Sequence, residues 1–228
     1  MQGLWTFRMF STTASHPMPT CGCEAQFNRR VAARDLRRYR KKGPVRTAQM
    51  LIDALTHAGV RDRTLLDIGG GVGAMQHALL QAGAAHAVGV DASQAYLHAA
   101  REEAARQGHA QHLETHHGDF VALADQLSAA DIVTLDRVIC CYQNMEALVT
   151  RSADRARHLY GLVYPRRTWW TRMAFATCNT LLRLRRSSFR AFVHVPKEVD
   201  HLLRMRGLVP IFRHNTLLWQ ILVYNKGA

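Results

Sequence analysis

In the 228-residue chain, Leu65-Leu66-Asp67-Ile68-Gly69-Gly70-Gly71-Val72-Gly73 places glycines at alternate positions between an apolar run and a helical pattern. Without β-carbons, Gly69, Gly71 and Gly73 let the backbone turn sharply from strand to helix and bring amide groups close to a nucleotide-like ligand. The spacing Gly69-x-Gly71-x-x-Ala74 also satisfies the dinucleotide pattern, so an NAD enzyme is one reading. Asp67 favours another: at the strand end it would repel a pyrophosphate, whereas a cationic, amine-bearing ligand is attracted to it. Asp91, ending Ala87-Val88-Gly89-Val90 with Ala92 after it, lies 18 residues beyond Gly73 and can accept both hydroxyls of a ribose. Asp119 and Phe120, following Gly118, offer an oxygen and an aromatic face to an adenine. Asp136 ends Ile132-Val133-Thr134-Leu135. Four acids at four successive strand ends would form an electrostatic cradle for a cation.

The candidates for an acid–base group are Tyr142 and His194 in Phe192-Val193-His194-Val195-Pro196, since a histidine accepts a proton near neutral pH. No metal site is expected. Cys21-Gly22-Cys23 has no second pair at zinc-ligand spacing, and His109, His112, His116 and His117 follow no ligand pattern. Cys140-Cys141 reads as two small apolar side chains at a buried strand end.

In order and spacing these residues resemble the class I S-adenosylmethionine-dependent methyltransferases over roughly residues 60–225. The segment from Asp67 to Gly73 is similar to the first motif of that superfamily, Asp91 to the acid after the second strand, Gly118-Asp119-Phe120 to the adenine-side motif, and Asp131–Asp136 to the fourth. The resemblance implies S-adenosylmethionine as cofactor. It implies Gly69, Gly71 and Gly73 for backbone approach, Asp67 near the methionine amine, Asp91 with Ala92 at the ribose, Asp119 and Phe120 at the adenine, and Asp136 on the same edge. Within the superfamily the chain is loosely similar to the magnesium-protoporphyrin methyltransferase group. Where that group has a polar segment ending in His-Tyr, this chain has Arg137-Val138-Ile139-Cys140-Cys141-Tyr142. The expected activity is transfer of a methyl group to a small, anionic or aromatic acceptor by in-line displacement, which depends on alignment and exclusion of water and does not require a base. An RNA methyltransferase and a non-catalytic nucleotide- or S-adenosylmethionine-binding protein are the alternatives.

The elements that must position these residues alternate. Glu24–Lys42 and Val45–Ala58 read as amphipathic helices, ended by Gly43-Pro44 and Gly59. Strands are predicted at Thr64–Ile68, His86–Val90, His112–His116, Ile132–Leu135 and Leu159–Tyr164. Helices are predicted at Ala74–Ala82, Ser93–Gln107, Phe120–Leu127, Met145–His158 and Pro196–Arg206. The final strands, Leu208–Phe212 and Leu217–Tyr224, form a hairpin. The pattern predicts an α/β fold: a Rossmann-like seven-stranded, mostly parallel sheet with a C-terminal antiparallel hairpin, extra N-terminal helices and a helical insertion after strand five. Residues 24–228 form one domain behind a flexible arm, residues 1–23. Residues 165–195 are expected to cap the substrate, with Trp170, Ala174, Thr177/Cys178 and Leu181 on one helical stripe.

Composition bounds the partners. Hydrophobic residues make up 48% of the chain, which excludes disorder as its main state. The longest apolar stretch is interrupted by Arg172, Asn179 and Arg183, so no transmembrane segment is expected. The first residues lack the apolar core of a secretory signal, and five cysteines suggest free thiols and a cytoplasmic setting. The net charge of +13 is unevenly spread: residues 1–60 carry +7, residues 61–149 carry −6 and residues 150–228 carry +12. The acidic middle suits a cationic cofactor. The basic flanks suit a small anionic substrate, with nucleic acid or a peripheral membrane contact as other partners.

Overall fold

The computed structural model describes residues 22–227. The arm expected over residues 1–23 lies outside them except for Gly22 and Cys23. Three helices precede the sheet: α1 (Cys23–Gln26), α2 (Arg29–Lys42) and α3 (Arg46–Ala58). The first two were expected as one helix. Asn28 divides them, its side chain capping α2 by accepting from the amides of Arg30 and Val31.

The alternating segment then runs β1 (Thr64–Ile68), α4 (Ala74–Gln81), β2 (His86–Asp91), α5 (Gln94–Arg106), β3 (Leu113–His117) and α6 (Phe120–Leu123). It continues with β4 (Ala130–Asp136), α7 (Met145–Asp154) and β5 (Ala156–Pro165), and after α8 (Trp169–Leu184) and α9 (Pro196–Arg204) closes with β6 (Leu208–Asn215) and β7 (Trp219–Lys226). The strand order is β3-β2-β1-β4-β5-β7-β6. Only β7 runs against the others, paired on one side with β5 and on the other with β6. Helix α7 ends four residues earlier than its apolar pattern predicts, because Ala156 pairs with Ala130 and belongs to the sheet.

Side chains alternate across the sheet. Leu65, Ala87 and Ile132 pack under Leu51, Leu55 and Leu79 of α3 and α4. Leu66, Val133 and Leu135 face Leu148, Val199 and Leu203 of α7 and α9. Because β1, β2, β3 and β4 are parallel, their C-terminal ends share one edge. Cys140, Cys141 and Cys178 are free thiols, and Cys21 lies outside the described residues.

The N-terminal helices are tied to this edge through α5. Glu103 has no exposed side-chain surface and accepts from Arg40 at 2.7 Å and from Arg106 at 3.0 and 3.1 Å. Burial alone would raise the Glu103 pKa, but the two guanidiniums and the Gln107 amide hold it down at about 2. A depressed carboxylate stabilises the fold above its unfolded pKa, and that contribution is lost as pH falls from about 4.5 to about 2. Glu103→Ala is therefore expected to cost about 2 kcal/mol at pH 7, the modest figure reflecting the water contact both guanidiniums keep. Thermal unfolding of the two proteins should converge near pH 2.

Candidate active site

Asp67 projects from β1 into the protein and is fully buried. Thr134 Oγ1 on β4 donates to its Oδ1 at 2.6 Å, and Gln76 Nε2 on α4 donates to its Oδ2 at 3.0 Å. Burial pushes the Asp67 pKa up to about 7 against those two hydrogen bonds, and the neighbouring charges of Asp136 and Asp91 add to the rise. Among the described residues no cation forms an ion pair with it. The glycine loop follows with Gly69, Gly71 and Gly73 all in the left-handed region, at φ of 64°, 57° and 80°. At Gly70 the constraint is contact: a β-carbon there would press on Asp67 Oδ2 and Gln76 Nε2.

Asp91, at the end of β2, braces that loop. Its Oδ2 accepts from the Gly71 amide at 3.1 Å and its Oδ1 from the Ser93 amide at 2.8 Å. Burial lifts its pKa to about 6, opposed by those two amides. Asp119 caps α6, accepting from the Val121 amide at 2.8 Å.

Two cavities open along this edge. The first, of about 300 Å³, has Asp91, Ala92, Asp119 and Phe120 in its wall together with Ile68 and Leu148. The second, of about 470 Å³, is bounded by Asp67, the glycine loop and Asp136 from the sheet side, and by Asp35, Tyr39 and Val45 from the N-terminal helices. Phe27, Gly69 and Arg137 border both. Phe27 is fixed by three contacts: its carbonyl accepts from Ser93 Oγ at 2.6 Å, and its ring packs on Tyr96 and edge-on to Phe189 at 5.7 and 5.5 Å.

The structure thus gathers Asp67, Gly69, Gly71, Asp91, Ala92, Asp119, Phe120 and Asp136 at one edge. Gly73 stands at the start of α4. Asp136 is already engaged, its oxygens accepting from the Arg137 guanidinium at 3.1 and 3.3 Å. Arg137, at φ 61°, puts a cation where sequence reasoning foresaw only acids. Phe27 and Asp35 are further wall residues that the sequence does not single out; they come from the N-terminal segment, distant in sequence, and no local spacing marks them. Thr134 and Gln76, the Asp67 partners, carry a weak signal in being polar at positions otherwise buried.

Of the two acid–base candidates, Tyr142 lines the first cavity and His194 lies outside both. The Tyr142 hydroxyl donates to both Asp119 oxygens at 2.8 and 2.7 Å, in the first cavity, and burial beside that carboxylate pushes its pKa up. His194 borders neither cavity. Its Nε2 lies 3.0 Å from the Ile139 carbonyl and 2.9 Å from that of Tyr142, so that nitrogen carries the proton and pins the strand-four loop. The insertion over 165–195 contributes Phe189, through Phe27, while α8 lines neither cavity.

Residues 65–159 match the family model of a methyltransferase domain. No curated protein matches the chain by sequence. Among solved structures, the chain is similar to magnesium protoporphyrin IX methyltransferase from Synechocystis PCC 6803 with bound SAH, with TM-score 0.68 and 20% identity over 90% of this chain and 98% of that one. An O-methyltransferase family protein from Burkholderia thailandensis gives TM-score 0.65 at 17% identity, covering 90% of this chain and 63% of that one. A putative sarcosine dimethylglycine methyltransferase from Galdieria sulphuraria gives 0.65 at 12% identity, covering 82% and 88%. At these identities the likeness is one of fold.

Proposed function

We propose that the two adjoining cavities hold S-adenosylmethionine beside a small acceptor and that the protein methylates that acceptor, a reading supported by the match of residues 65–159 to a methyltransferase domain model and by the likeness in fold to magnesium protoporphyrin IX methyltransferase. The observation that carries the reading is a missing counter-charge. Buried carboxylates in proteins are normally paired. Asp67 and Asp91 are both buried with raised pKa values, and no cation of the described chain pairs with either. A ligand bearing an ammonium and a sulfonium restores the balance. The bound cofactor would supply an electrophilic methyl group, and its acceptor would attack in line with the breaking carbon–sulfur bond.

The residues divide the work along the edge. Asp91 presents its carboxylate to ribose hydroxyls while holding the Gly71 amide in place. Phe120, Ile68 and Leu148 give the apolar slot an adenine requires, and Asp119, with Tyr142 on its carboxylate, borders that slot. Asp67 and the glycine loop face the amine-bearing end. The second cavity, walled by Tyr39 and Asp35, has the room to hold the acceptor. Arg137, between the cavities, is suited to an anionic or phenolic group on the acceptor. With Tyr142 and His194 both engaged, alignment rather than a dedicated base drives the transfer.

Calorimetry with S-adenosylhomocysteine, followed by a screen for S-adenosylhomocysteine formed from S-adenosylmethionine in the presence of aromatic acids, phenols or porphyrins as acceptors, tests the proposal. Binding and turnover of at least one acceptor are expected. Absence of heat on titration overturns cofactor binding, and binding without turnover favours a non-catalytic binding protein.

A further inference from the structure

Helix α8 leaves the sheet edge after Pro165 and stands off the domain: of its sixteen residues only Thr171 is buried. Its inward line is Thr171, Phe175, Asn179 and Leu182, not the stripe through Trp170 and Ala174 that the sequence suggests. Asn179 anchors that line by reciprocal hydrogen bonds with Ala191, at 2.7 and 2.9 Å. The opposite face presents Trp169, Met173 and Leu184 at 71%, 62% and 76% exposure, with Leu181 beside them at 51%. The β6–β7 turn extends the same surface. Leu217 is exposed, its carbonyl accepts from Trp170 Nε1 at 3.3 Å, and the Arg166 amide donates to the Leu218 carbonyl at 2.9 Å.

Charge decides what this surface fits. From residue 155 to residue 197 there is no Asp or Glu, and Arg166, Arg167, Arg172, Arg183, Arg185, Arg186 and Arg190 lie in that span. None of the seven forms an ion pair among the described residues, whereas Arg137, Arg151, Arg155, Arg204 and Arg206 all do. Arg172 and Arg183 flank the apolar strip on the helix. A symmetric dimer through this face would bring like charges together, which opposes self-association. Single-stranded RNA would leave Met173, Leu181 and Leu184 without a purpose, since stacking needs rings. Exposed aliphatic and tryptophan side chains bordered by unpaired arginines match the interface of an anionic bilayer, with the strip at the acyl boundary and the guanidiniums on the headgroups.

We propose that α8 and the 216–218 turn dock the protein on an anionic lipid surface. Co-sedimentation of the full chain with phosphatidylcholine vesicles, with and without phosphatidylglycerol, tests this in the absence of any cofactor or acceptor, so failure of methyl transfer does not bear on it. Expected are binding to the anionic vesicles only, weakening at high salt, and a blue shift of tryptophan emission. Arg172→Gln with Arg183→Gln should weaken partitioning roughly 25-fold, about fivefold per charge. Trp169→Ser with Leu184→Ser should abolish it. These side chains are exposed, and unchanged melting temperatures confirm that the variants fold. No preference for anionic vesicles, full binding by the variants, a dimer that the Trp169/Leu184 pair disrupts, or RNA binding that the arginine pair disrupts would each overturn the proposal.

Discussion

Asp91→Ala is expected to weaken S-adenosylhomocysteine binding about 100-fold, read by calorimetry. The carboxylate serves two sides of the site: inward it accepts from the Gly71 and Ser93 amides, and outward it lines the first cavity. Hydrogen bonds to a charged acceptor contribute about 1.5–3 kcal/mol each, so losing two to a ribose, partly replaced by water, gives about 3 kcal/mol. The truncation also frees the loop amide at Gly71, which adds to the loss by loosening a backbone held in the left-handed region. Asp91→Asn, which retains one good acceptor, should lose about tenfold. A variant that bound as tightly as the parent would mean that the ligand does not reach the end of β2.

Asp67→Asn is expected to act in opposite directions on the free protein and on its complex. The Asp67 pKa is raised in the fold, from 3.8 to about 7. Between those values the folded chain keeps a proton that the unfolded chain has released, so stability falls as pH rises through the window and the ionised acid is a burden above it. That burden is at most about 4 kcal/mol. The amide cannot ionise, and it keeps both neighbours: Thr134 can accept from it or donate to it, and Gln76, whose Oε1 is buried without a partner, can turn to accept its N–H. The melting temperature of the free variant should therefore exceed that of the parent at pH 8 and equal it near pH 4. Affinity for S-adenosylhomocysteine should drop at least tenfold, because the amine loses its counter-charge. In the parent, binding between pH 6 and 7 should release protons, seen as a dependence of the calorimetric heat on buffer ionisation enthalpy. Equal heats in all buffers would show that Asp67 does not ionise on binding.

Much of this site is written in local sequence. The glycine loop is legible because Gly69, Gly71 and Gly73 adopt a conformation that other residues resist, and Asp67 and Asp91 because a strand end fixes where their side chains go. Asp136 was correctly placed on its strand but not in its pairing, since nothing in the run Ile132–Asp136 announces that Arg137 folds back onto it. The other half of the cleft arrives through tertiary contacts. Phe27 reaches it by way of Ser93, and Asp35 through the Tyr96 hydroxyl, which donates to it at 2.7 Å. Helix α8 was misread by one position: with apolar side chains on several sides, its phase is set by the Asn179–Ala191 tie rather than by hydropathy.

The sheet order has a bearing on how the chain is made. Strand β7 follows β6 in sequence, yet it lies between β5 and β6, hydrogen-bonded on both sides and carrying the buried Ile221, Val223 and Tyr224. A nascent chain that has delivered everything through β6 still has an open slot beside β5, with the apolar faces of α3 and α9 half covered. Sheet closure must wait for residues 219–226, so during synthesis the exposed edge of β5 is the place where aggregation competes with folding.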